Sequence, residues 1–155
     1  MPLYPFGHGL SFTTYKYDNL KIAGKGKTAD KKIPVSFSLT NTGKREGVEV
    51  AQLYVSSALA ISRGVALELK GFERVALQPG ETRNVTIMLS PQQLAIYNTK
   101  ENVWEIKPGT YQIKVGTSST NIKLKADIEL TGEKLSLKSR TVFFSKTAVS
   151  TTKSK

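Results

Sequence analysis

The 155-residue chain contains no cysteine, which removes disulfides, thiolate nucleophiles and cysteine-ligated zinc from consideration. It has one histidine, His8, so a Ser-His-Asp arrangement has a single candidate and a histidine metal site lacks converging ligands. Its aspartates, Asp18, Asp30 and Asp127, stand too far apart for a calcium loop. No run approaches the roughly 18 apolar residues of a membrane-spanning helix. The first residues also lack the basic-then-apolar order of a secretory signal. The segment Gly24-Lys25-Gly26-Lys27-Thr28 superficially fits a phosphate-binding loop, but the glycine that pattern needs five positions earlier is Lys21. No cofactor is expected.

Acidic residues are scarce: 12 against 23 Lys and Arg, for a net charge of +11. Such a balance invites a nucleic-acid reading, and the placement of the lysines argues against it. Lys21, Lys25, Lys27, Lys31 and Lys32 crowd a Gly-rich connection, and Lys134, Lys138, Arg140, Lys146, Lys153 and Lys155 fall in a Ser/Thr-rich tail. Neither stretch interleaves aromatics, as base stacking requires. Solvated loops are the simpler reading, with no specific nucleic-acid partner; adhesion to an anionic partner is the use the charge leaves open.

What the sequence has in quantity is alternation. Ile33, Val35, Phe37 and Leu39 alternate with polar residues or Pro34; Ala51, Leu53 and Val55 repeat the pattern, as do Val85, Ile87 and Leu89, and Tyr111, Ile113 and Val115. A period of two marks half-buried strands. Turn chemistry separates them at Asn41-Thr42-Gly43, Gln78-Pro79-Gly80 and Lys107-Pro108-Gly109. Helical periodicity is missing, apart from one possible turn at Pro91-Gln92-Gln93-Leu94. About seven to eight short strands with regular turns predict an all-β, antiparallel immunoglobulin-like β-sandwich. Its expected core is Val35, Phe37, Leu39, Leu53, Phe72, Ile87, Tyr111, Ile113 and Val115, with Gly71 turning the strand and sending Phe72 inward. Glu68 and Glu73 flank Gly71 and are the nearest thing to a carboxylate pair; surface charge on neighbouring strands accounts for them better. Asn84-Val85-Thr86 fits a glycosylation sequon, a triplet that arises often by chance. From Thr131 the pattern weakens. Thr141-Val142-Phe143-Phe144 offers one more strand, and the residues after Val149 read as disordered.

The chain opens on "PLYPFGHGLSF", dense in proline, glycine and aromatics. With the residues that follow, "PLYPFGHGLSFTTYKYDNL" closely resembles the segment leading into the C-terminal fibronectin type III-like domain of family 3 glycoside hydrolases, the β-glucosidase and β-xylosidase group. "VSFSLTNTGKREGVEVAQLYV", "LELKGFERVALQPGET", "NVTIMLSPQQLAIYN" and "VWEIKPGTYQIKVGTSSTNIKL" resemble that domain's successive strands in order, so the likeness covers about residues 2 to 130.

The resemblance implies residues 1–18 as an interdomain joint, 19–130 as the sandwich and 131–155 as a basic tail longer than the family shows. In such enzymes, retaining β-glucosidases and β-xylosidases, the aspartate nucleophile lies in an N-terminal barrel and the acid/base residue in a following α/β domain. Both would precede Met1, and no position here matches either motif. The chain alone is therefore expected not to be an enzyme, and its parent to be periplasmic or extracellular. The expected function is that of a non-catalytic accessory module packed against the catalytic domains, in cis or in trans, through Tyr4, Phe6, His8, Phe12 and Arg63. The family's usual Arg-Pro run becomes Arg63-Gly64 here, which loosens that loop. The alternative is a carbohydrate-binding module that stacks a poly- or oligosaccharide on Tyr54, Tyr97 and Trp104.

Overall fold

The computed structural model describes residues 3–23, 31–62, 64–135 and 145–151. The alternating segments form strands β1 (Tyr15–Ile22), β2 (Ile33–Asn41), β3 (Gly47–Ser57), β4 (Glu68–Leu77) and β5 (Thr82–Leu89). A short helix α1 (Ala58–Ser62) follows β3, and a single 3-10 turn (Pro91–Leu94) follows β5. Then come β6 (Ile96–Asn98), β7 (Val103–Ile106), β8 (Gly109–Gly116), β9 (Ile122–Leu130), β10 (Glu133–Leu135) and β11 (Lys146–Thr151). Pairing is antiparallel throughout, in two four-stranded sheets ordered β1-β2-β5-β11 and β4-β3-β8-β9, with a small β10-β7-β6 sheet beside them.

The two large sheets bury the alternating residues against each other. Val35 stands opposite Ile87 and Phe37 opposite Val85 in one sheet, and Leu53 opposite Val115 in the other. Val35, Phe37, Leu39, Leu53, Ile87, Tyr111, Ile113 and Val115 are all buried. Each such side chain contributes about 1.5–3 kcal/mol. On the opposite face of β2 and β5, hydroxyl pairs replace apolar contact: Ser36 with Thr86 at 2.9 Å and Thr40 with Thr82 at 2.7 Å.

Phe72 does not join this core; it is 50% exposed. The inward position on β4 belongs to Gly71, opposite Leu53. A Cβ there would lie 2.9 Å from Ile87 Cγ2 and 2.9 Å from Ser145 Cβ. The neighbouring chain thus fills the space a side chain would need, and strand alternation turns Phe72 outward.

The basic tail also differs from expectation. Leu135 is buried, and β11 pairs with β5 from Lys146↔Met88 to Thr151↔Arg83. Ser150 and Thr151, read as disordered, are therefore strand residues. The strand expected at Thr141-Val142-Phe143-Phe144 lies outside the described residues. β1 begins at Tyr15, inside the stretch read as joint.

Candidate functional site

Ala51 to Ser56 are buried without a break, although alternation sends Gln52, Tyr54 and Ser56 to the face away from the core. The opening segment covers that outer face. Gln52 Nε2 donates to the Gly7 carbonyl at 3.1 Å and to the Thr117 carbonyl at 2.6 Å. Tyr54 Oη donates to Gln52 Oε1 at 2.5 Å, and the Phe6 carbonyl accepts from the Ser119 N–H at 2.9 Å. Burial pushes the Tyr54 phenol up from its ordinary pKa, which keeps it a donor. Gly7 lies at φ +78, and a Cβ there would meet Gln52 Oε1 at 2.0 Å. Further along, Thr13 Oγ1 donates to Asn41 Oδ1 at 2.8 Å and the Thr42 N–H to the Thr14 carbonyl at 2.8 Å. The segment is therefore pinned near both ends.

Between and before these pins its large side chains face solvent. Leu10 is 93% and Phe12 91% exposed, and Leu3, Tyr4 and Phe6 are exposed as well. Tyr4 and His8 stack on one another, centroids 5.2 Å apart and 25° from parallel. Beside the segment β8 stops short: its pairing with β3 begins at Gln52↔Gly116, so among the described residues positions 48–51 of β3 pair with β4 alone. Over this outer face runs a groove of about 700 Å³ lined by Phe6, Leu10, Val48, Val50 and Phe72. The Val50 N–H on this edge is satisfied by the Glu49 carboxylate at 3.0 Å. Burial pushes Glu49 above the usual carboxylate range, with the Val50 N–H and Lys123 pulling the other way.

A family model for the fibronectin type III-like domain matches residues 49–119. Over 129 residues the chain is 40% identical to thermostable β-glucosidase B of Acetivibrio thermocellus, covering 83% of this chain and 17% of that protein. It is 44% identical to a β-xylosidase of Formosa agariphila, covering 80% of this chain and 17% of that protein. The fold superposes on β-glucosidase 3B from Thermotoga neapolitana, solved in complex with α-D-glucose, with a TM-score of 0.76 and 33% identity. That match covers 87% of this chain and 18% of the other.

Residues 49–119 are a fibronectin type III-like domain, and the relatives that the chain matches are family 3 glycoside hydrolases, β-glucosidases and β-xylosidases. The chain spans less than one fifth of the length of these relatives.

Among the described residues, the aromatics and carboxylates considered from sequence do not converge on one site. Tyr54 is only 1% exposed, so it offers no stacking surface. Tyr97 and Trp104 do face each other across β6 and β7, at 5.5 Å and 60°, an edge-on pair rather than a flat platform. Glu68 lies opposite Val55 and Glu73 opposite Ala51, about 13 Å apart along the strand, beyond the separation of a glycosidase pair. Glu68 instead contacts Lys70 at 3.3 Å. Arg63 lies outside the described residues.

The domain also holds a polar cluster that alternation did not reveal. Lys70 and Gln93 are buried; Lys70 Nζ donates to the Gln93 carbonyl at 2.8 Å and Gln93 Nε2 to the Lys70 carbonyl at 3.0 Å. Ser145 donates to the same Lys70 carbonyl through its N–H and its hydroxyl, which fixes the chain where β11 begins.

Proposed function

We propose that this domain is a non-catalytic accessory module, which packs against and stabilises the catalytic domains of a β-glucosidase or β-xylosidase. The observation that carries this reading is the opening segment. Leu3, Tyr4, Phe6, Leu10 and Phe12 are held outward on a segment that is itself hydrogen-bonded to the sheet. An isolated chain gains nothing from exposing five large apolar side chains in ten residues, whereas a partner surface would bury them. Val48, Val50 and Phe72 extend the same apolar face along the groove. Catalysis would then reside wholly in the partner, and the module's contribution would be stability and orientation.

The test is a double variant, Leu10→Ser with Phe12→Ser. The accessory reading predicts an unchanged fold for the chain alone and loss of association with a family 3 catalytic region supplied in trans. Association that survives the double variant would remove this surface from the reading.

A further inference from the structure

Across β8 and β9 the outer face gives each carboxylate a neutral hydrogen-bond donor opposite it in two rows, and sets two lysines opposite each other in a third. Gln112 faces Asp127, its amide donating at 3.1 Å, and Thr110 faces Glu129, its hydroxyl donating at 2.5 Å. The next row toward the opening segment sets Tyr54, Lys114 and Lys125 side by side. Two lysines thus occupy directly opposed positions. Among the described residues, the ion pairs involve neither of them, and the diagonal carboxylate of Asp127 is engaged by Gln112. Directly opposed like charges destabilise a sheet, and neither lysine has a carboxylate directly across from it.

The position of this row connects it to the docking face. Tyr54 belongs both to this row and to the hydrogen-bonded cluster that holds the opening segment. Lys114 is its immediate cross-strand neighbour. Resting on the accessory-module reading, we propose that the catalytic-domain surface covering this face presents a carboxylate to Lys114 and Lys125. One carboxylate accepting from both ammonium groups turns a repulsive row into charge-assisted hydrogen bonds, and docking removes the water that screens them. Docking is then selected by charge as well as by apolar contact.

The experiment uses the full chain and, as probe, the part of Acetivibrio thermocellus β-glucosidase B that precedes the matching segment. Lys125→Glu puts a carboxylate opposite Lys114 within the chain itself. The expected result is a gain and a loss together. The melting temperature of the chain alone rises by roughly 1–3 °C, while affinity for the probe falls by roughly tenfold at low salt. Lys125→Gln falls between, and the wild-type affinity weakens as salt is added. Affinity indifferent to salt and to Lys125→Glu, yet abolished by Leu10→Ser with Phe12→Ser, overturns the carboxylate and leaves the accessory reading standing. No association by the wild-type chain overturns that reading and this inference with it.

Discussion

Gly7 gives its carbonyl to the side-chain amide of Gln52 at 3.1 Å, and the same side chain occupies the place where a Cβ on Gly7 would go, 2.0 Å from Gln52 Oε1. Only glycine meets both conditions, because φ +78 also lies in the left-handed region. Through this contact the opening segment becomes part of the sheet rather than a free arm.

Gly7→Ala is therefore expected to release the segment. Holding an L residue in the left-handed region costs about 1–2 kcal/mol, and Gln52 must also move. Hydrogen exchange should show protection lost at the Ser119 and His8 amides while β2, β5 and β8 keep theirs, with melting lowered by roughly 2–6 °C. Unchanged protection at Ser119 would show that the contact does not hold the segment.

The sandwich was legible in the sequence because its core is local arithmetic: Ile33 to Leu39 and Val85 to Leu89 alternate with period two, and the two sheets bury what alternation selects. Phe72 was misread because glycine carries no hydropathy signal. The inward residue was Gly71, and only the approach of Ile87 and Ser145 shows it. Gln52 and Tyr54 sit in "VAQLYV", a run with both parities occupied by large residues. Such a run signals a strand covered on both faces, but it does not say by what. The Lys70–Gln93–Ser145 cluster joins three distant segments, and long-range hydrogen bonds leave no spacing in a sequence.

Gly71 and Phe72 provide a paired test of that correction. Gly71→Ala should destabilise the domain by about 1–3 kcal/mol, since the new methyl meets Ile87 and Ser145 in a filled space. Phe72→Ser, at a half-exposed position, should stay within about 0.5 kcal/mol in the isolated chain. Urea midpoints of the two variants distinguish this arrangement from one with Phe72 in the core, which would reverse the order.

Gln93 is the polar residue whose loss should cost most. Its Oε1 accepts from the Ser90 N–H at 3.0 Å and shares the single Ser145 hydroxyl proton with the Lys70 carbonyl, each at 3.0 Å, and its Nε2 donates to the Lys70 carbonyl. Gln93→Ala leaves those buried groups without these bonds and should cost about 2–4 kcal/mol. Gln92→Ala, one residue away and only partly buried, should be near neutral. Equal midpoints for the two would refute the network's role.

Acid stability has two opposing contributions. The Gln78 N–H and Arg83 hold Glu81 below the usual carboxylate range, and Lys107 does the same for Glu105. Groups with lowered values lose their stabilisation as pH falls through the window below the ordinary value of 4.5. Glu49, raised by burial, binds its proton better in the folded chain than in the unfolded one. Its contribution therefore declines as pH rises from the ordinary value through the raised one. Glu49→Gln, which keeps an oxygen for the Val50 N–H, should leave the chain more stable than wild type near neutral pH and indistinguishable from it at about pH 3. Urea titrations at the two pH values check this, and a variant less stable at neutral pH would contradict it.

The central claim is that the chain contributes structure and its partner the chemistry. Hydrolysis of an aryl β-glucoside and an aryl β-xyloside should be measured for the purified chain, first alone and then with a family 3 catalytic region lacking its own fibronectin type III-like domain. The account predicts no turnover by the chain alone, and a gain in the catalytic region's activity or thermal half-life on mixing. Turnover by the chain alone, with contaminating enzyme excluded, would contradict it.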